Sequence, residues 1–160
     1  VIKKAGLYRS SYYDMPFLNE GEYYTAFIPT DSAVTNAGLD TLSKGELQKI
    51  VKLHFVKGDL IFTDGKKPEG FYETLRVDES STNFQTINTR LKIDPDYDVI
   101  RIKDDNNKTY LEVPQRTGIT NIMIKTDSDD ESTSEYDYDT TGVMHAIDKV
   151  LIKDSLGMFN

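Results

Sequence analysis

"YTAFIPTDSAV", Tyr24 to Val34, packs a strand, a stop and a helix start into one short stretch. From Tyr23 to Ile28, Tyr23, Thr25 and Phe27 alternate with Tyr24, Ala26 and Ile28, and aromatic and β-branched side chains of this kind suit a pleated surface. Apolar residues fall on both faces, which predicts a central strand rather than an edge. Pro29 has no N–H to continue a ladder, Thr30 and Asp31 are candidate N-caps, and Gly38 supplies a helix stop. The segment therefore predicts a buried strand feeding directly into a short helix.

Downstream, Ser43 and Glu46 form an S-x-x-E capping box, and Leu47, Ile50, Val51 and His54 recur at helical spacing. A helix from about Lys44 to His54 is expected, with His54 on its buried face. After Gly58 the texture changes to short β-type runs: "LIFTDGKKPEG", "YETLRV", "FQTINT", "LKIDPDYD", "VIRIKDDNN", "TYLEVP", "GITNIMIK" and "GVMHAIDKVLI". Upstream, "VIKKAGLY" puts Val1, Ile2, Ala5 and Tyr8 on one helical face and reads as the last turns of a helix begun earlier in a longer chain. Helices at the front and strands behind define an α+β domain with a largely antiparallel sheet system.

The bulk properties bound the partners. A chain of 160 residues fits one domain, 1–160, burying about 68–70% of its unfolded surface. Its 19 basic and 27 acidic residues give a net charge of -8, which repels a phosphate backbone and argues against nucleic acid. The absence of cysteine removes disulfides, thiolate nucleophiles and cysteine-held zinc from this chain. No apolar run is long enough to insert the domain in a membrane as a helix.

Common cofactor and nucleophile chemistry finds no seat, while the abundant carboxylates leave a glycosidase-like pair in a cleft as a third reading that no motif supports. His54 and His145 stand far apart in sequence, each on an apolar pattern and neither with a second ligand at metal spacing, so each reads as a buried, hydrogen-bonded ring. G-x-S-x-G, the P-loop and G-x-G-x-x-G are all missing, and no cofactor is expected. Asp127 to Asp139, "DSDDESTSEYDYD", holds seven carboxylates and no aliphatic residue, and is expected to be an exposed loop. Its alternating acids suit a hard cation, but the EF-hand spacing of Gly and closing Glu is absent. "DPDYD", Asp94 to Asp98, reads as a turn, and "NKT", Asn107 to Thr109, as an N-glycosylation pattern on the "DDNNK" hairpin loop. The tyrosines Tyr8, Tyr12, Tyr13, Tyr23 and Tyr24 suit a core edge or an aromatic surface.

Three stretches in order resemble the fasciclin-like domain family. "YTAFIPTDSAV" is similar to its Thr-x-Phe-x-Pro-Thr-(Asn/Asp)-x-Ala signature. "LQKIVKLHFVKGDLIFTDG", Leu47 to Gly65, looks like its helix and His-Val-Val-x-Gly turn. "TGVMHAIDKVLI", Thr141 to Ile152, resembles its Asn-Gly-Val-x-His-x-Ile-Asp-x-Val-Leu ending. There are departures: Leu53 stands where Tyr commonly precedes the central histidine, Thr141 stands where Asn is usual, and the integrin-contacting Asp-Ile of some animal members has no counterpart in "SEYDYDTT".

The resemblance implies a wedge of mainly antiparallel strands flanked by several short helices. It also implies a noncatalytic adhesion or protein-interaction module outside the cytoplasm, on a cell surface or secreted. Thr30, Asp31, His54, Gly58, Gly142, His145 and Asp148 then become fold-holding motif residues. The partner would be a protein or a surface glycan. The expected contact is Tyr136, Asp137, Tyr138 and Asp139, where two aromatic anchors stand among charges. The alternative is a calcium-dependent or carbohydrate-binding module using loop 127–139.

Overall fold

In the computed structural model, residues 1–7, 18, 21–126 and 140–157 are described. Strand β1 (Tyr23–Pro29) runs into helix α1 (Asp31–Ala37), and after a 3₁₀ turn at Leu39–Thr41 the chain forms α2 (Lys44–Leu53). Six strands follow among the described residues up to 126: β2 (Phe55–Lys57), β3 (Gly70–Val77), β4 (Asn88–Asp96), β5 (Val99–Lys103), β6 (Thr109–Pro114) and β7 (Ile122–Thr126). Then β8 (Thr140–Ile147) and the short α3 (Lys153–Leu156) close the described chain.

The strands form one sheet in the order β6-β5-β4-β3-β2-β1-β8-β7. Neighbours are antiparallel except β1 and β8, which run parallel with Phe27 opposite His145. The sheet curls until β6 touches β8. Inside the curl lies one core, built on Phe27, Val56, Leu91, Ile93, Ile100, Ile102 and Ile147. A second core, with Ala26, Ala33, Leu47, Val51 and Phe55, lies between the sheet and the helices. This explains the apolar character of both β1 faces: Phe27 points into the curl and Ala26 toward the helices. Burying each large side chain this way stabilises the fold by about 1.5–3 kcal/mol.

Strands β3 to β5 are different. Tyr72, Leu91, Ile93, Ile100 and Ile102 fill the curl, while the alternate residues Phe71, Glu73, Arg90 and Arg101 face outward. The helix layer reaches Leu75 of β3, which packs on the second core, but leaves Phe71 exposed.

Several expectations needed correction. "LIF" at 60–62 is not a strand; the segment is strapped to β1, with Ile61 N–H donating to Thr25 Oγ1 at 2.9 Å and Thr25 Oγ1 donating to Asp59 O at 2.7 Å. Of "FQTINT", only Asn88 and Thr89 belong to a strand. The three-residue β2 was not anticipated, and Asp94 to Asp96 of "DPDYD" extend β4, with Asp98 in the left-handed region making the turn. Apart from these corrections, the opening residues form a turn closed by a Schellman motif, a helix-ending arrangement in which Gly6 N–H bonds Lys3 O and Leu7 N–H bonds Ile2 O.

Candidate functional site

The motif residues gather around the parallel β1–β8 seam. His145 is fully buried, stacked on Phe27 with ring centroids 5.7 Å apart. Its Nε2 lies 2.7 Å from Ile61 O and its Nδ1 accepts from Asn121 N–H at 3.1 Å, so the ring is neutral with the proton on Nε2. Asn121 continues the brace: its side-chain amide donates to Thr63 Oγ1 at 2.6 Å, and its Oδ1 accepts from Thr63 N–H at 3.0 Å. This Asn adopts a left-handed φ of 55°, which Asn tolerates better than most residues. The seam also needs Gly142, since a Cβ there would lie 3.1 Å from Tyr24 O.

His54, the C-cap of α2, is the second brace. Its Nδ1 lies 2.7 Å from Ile50 O and its Nε2 accepts from Leu151 N–H at 2.9 Å, so the proton sits on Nδ1, the opposite tautomer to His145. Burial pushes His54 down to about 4, against the opposing pull of its bond to Ile50. Burial lowers His145 as well, opposed by its bond to Ile61. Thr30, not Asp31, caps α1, accepting from Ala33 N–H at 3.2 Å, while Asp31 lies exposed in the first turn. Ser43 and Glu46 form the full capping box on α2. Gly58 has φ 85° and donates to Tyr23 O at 2.7 Å, and Asp148 is exposed just beyond β8.

A partly buried ion network, with Arg76 and Asp78 inside and Glu79 half exposed, ties the closing segment to the end of β3. Arg76 donates to Thr89 Oγ1 at 2.8 Å and pairs with Glu79, and Lys153 Nζ reaches Asp78 at 3.1 Å and Glu79 at 3.0 Å. Burial would raise Asp78, but hydrogen bonds from Ser80, Lys153 and Thr89 outweigh it and hold the carboxyl low. Arg76 is the main cause of the depressed Glu79 carboxyl.

The one contact cluster that sequence reasoning named, Tyr136 to Asp139, lies outside the described residues, as does all of Asp127 to Asp139 on which the calcium alternative rests. Tyr8, Tyr12 and Tyr13 lie outside them too; Tyr24 is buried and Tyr23 exposed. Among the described residues no group of three His, Asp or Glu side chains could hold a metal ion. Asn107 sits in the β5–β6 turn with φ 63°.

Sequence reasoning missed a surface on the outward face of β3 and β4. Phe71 is 61% exposed, and the Arg90 guanidinium and Lys92 ammonium lie 4.9 and 5.9 Å from its ring centroid. They edge a cleft of about 600 Å³ that is also lined by Gln85, Asn88 and Lys103. Phe84, the residue before Gln85 on the β3–β4 loop, is 100% exposed. The loop is fixed from within: Thr82 N–H bonds Gln85 O at 2.9 Å, Thr82 Oγ1 accepts from Phe84 N–H at 3.3 Å, and Ser81 Oγ accepts from Ile87 N–H at 2.9 Å. The only local signal was the alternation of Arg90 and Lys92 with the aliphatic Leu91 and Ile93, which also describes an ordinary solvent-facing strand.

Taken together, these features define a class: an α+β domain with a curled mixed sheet, in which the motif side chains brace a seam and one sheet face stays open. A model of the Fasciclin domain matches residues 5–153, nearly the whole length, and the chain belongs to that family. Domains of this family are generally adhesion or protein-interaction modules without catalytic activity. Searches of curated proteins and of solved structures gave no match. Among the described residues no helix is long and apolar enough to cross a membrane.

Proposed function

We propose that this domain is a noncatalytic adhesion or protein-interaction module working outside the cytoplasm, as one unit of a cell-surface or secreted protein. Its partner is a protein or a surface glycan. The observation that carries the reading is the fasciclin-domain match over residues 5–153. It is supported by the histidines: both ring nitrogens of His54 and of His145 are engaged by the backbone, leaving neither ring a nitrogen with which to move a substrate proton. The contact proposed from sequence, Tyr136, Asp137, Tyr138 and Asp139, belongs to this reading.

The test is attachment. Surfaces coated with the folded domain should retain cells of its native source above albumin-coated surfaces, and soluble domain should compete. Equal retention on both surfaces, or a reproducible enzymatic turnover abolished by one point substitution, would overturn the reading. Replacing Tyr136 and Tyr138 with Ala should reduce attachment if those residues make the contact, and unchanged attachment would remove them from it.

A further inference from the structure

The strongest unassigned feature is the cleft beside Phe71. A cation facing solvent is ordinary, but most cations on this face are neutralised: Lys103 pairs with Glu69 and Asp94, Arg101 with Asp96 and Glu112, and Lys57 with Glu73. Arg90 and Lys92 are not. Among the described residues neither has an ion-pair or hydrogen-bond partner, and both rest on the Phe71 ring alone. They stand two residues apart on the same face of β4, and Lys92 lies directly opposite Lys103 across the β4–β5 ladder.

The cleft's own acids do not fill this role. Glu73 pairs with Lys57 at 3.3 Å, and Asp104 Oδ1 accepts from Asn106 N–H and Lys108 N–H at 2.9 Å each. The Asp105 carboxylate packs against Gly157, on the closing segment. Two cations with unused donors thus face the cleft in a chain whose overall charge is -8.

Phe84 adds the second half of the argument. The backbone that carries this fully exposed phenyl ring is held by the loop's own hydroxyl and backbone bonds, so the loop itself need not order on docking. Aromatic and Arg anchors of this kind dominate the energetics of protein interfaces, and pre-ordering cuts the entropy cost of docking. Phe71, Arg90, Lys92 and Phe84 therefore combine anion recognition with apolar anchorage. Aromatic and Arg side chains are the residues enriched at protein–protein interfaces, so the combination favours polypeptide, with acidic glycan as a distinguishable outcome of the test.

We propose that the cleft between the outward face of β3–β4 and the Phe84 loop docks a carboxylate-rich polypeptide segment carrying an aromatic or aliphatic anchor. This rests on the reading of the domain as an interaction module and names the surface and the chemistry of the partner. The cations take the segment's carboxylates, and its apolar side chain packs between Phe71 and Phe84.

The test is fluorescence anisotropy with the whole chain and three labelled probes: a short Asp/Glu-rich peptide with a central Phe, the same peptide with Ala for Phe, and a Lys-for-acid version. An oligogalacturonate competitor represents acidic glycan. The Phe-containing acidic peptide is expected to bind best, the Lys peptide not at all, and added salt should weaken binding by screening. R90Q with K92Q should weaken both acidic peptides by about tenfold or more. F84A should erase the advantage of the Phe peptide while leaving the Ala version unchanged. Because these side chains project from the sheet or loop, each variant should keep the parent melting curve.

Absence of peptide binding at millimolar concentration, or binding indifferent to R90Q/K92Q and F84A, would overturn the proposal. So would glycan binding that depends on Arg90 and Lys92 while the peptides fail. Cell attachment that survives R90Q/K92Q/F84A would overturn this surface while leaving the interaction-module reading intact.

Discussion

The β1–β8 seam and the outward face of β3–β4 are made on opposite principles. At the seam, strands are buried on both sides, so polar side chains must find partners: His54, His145, Thr25 and Asn121 each bond through the side chain to backbone across the fold. On the outward face, water satisfies polar groups, so Arg90, Lys92 and Phe84 carry no structural duty. Residues with every bond committed hold a shape, and residues with donors to spare can recognise something else. The family motifs lie at the seam, and the proposed docking cleft lies on the open face.

The largest effects of breaking this contrast should come from the braces. Replacing His145 with Ala leaves Ile61 C=O and Asn121 N–H without partners and opens space against Phe27, so urea unfolding should show a loss of about 3 kcal/mol. A loss under about 1 kcal/mol would mean the ring is not a brace.

Acid should loosen the same region. The unfolded His54 ring takes a proton near pH 6.5, whereas the folded ring resists until about pH 4. Its contribution is therefore full above pH 6.5 and falls as the pH drops through that window, by about 3 kcal/mol in all. Chemical denaturation at stepped pH should show the slope, and H54Q should reduce it, leaving the share of His145.

Smaller effects separate the two cap candidates. T30A should cost about 1 kcal/mol, because Thr30 Oγ1 accepts from Ala33 N–H, whereas D31A should cost a few tenths through the helix dipole alone. Equal losses in thermal melts would undo that assignment. Smallest of all, F84A should change stability by less than about 0.5 kcal/mol, since a fully exposed ring loses no burial. A larger loss would show that the open face does structural work after all.

The seam was partly legible in the sequence because caps and periodicity are local. Thr30, Ser43, Glu46 and the Leu47–His54 stripe sit where turn geometry and helical spacing require them. The parallel pairing of β1 with β8 joins strands far apart in the chain and leaves no mark in either. The strap at Asp59 to Thr63 looked like a strand because "LIF" is apolar, yet its backbone bonds go to Thr25, His145 and Asn121 side chains instead of a neighbouring strand. Phe84 and Gln85 carried β-type composition but were drawn into a turn by the Thr82 and Ser81 hydroxyls. The open face was the least legible, since an exposed cation beside an aromatic ring acquires meaning only when its neighbours prove to be otherwise engaged.

The central claim is that both histidines are neutral structural braces, and nitrogen-edited NMR of the two imidazole rings tests it most directly. The His54 ring should stay uncharged even at pH 5.5, below the usual imidazole value of about 6.5; at pH 7 both rings should be uncharged and in opposite tautomers, His54 protonated on Nδ1 and His145 on Nε2. His54 carrying both protons at the lower pH, or either ring doing so or exchanging between tautomers at the higher, would contradict the account.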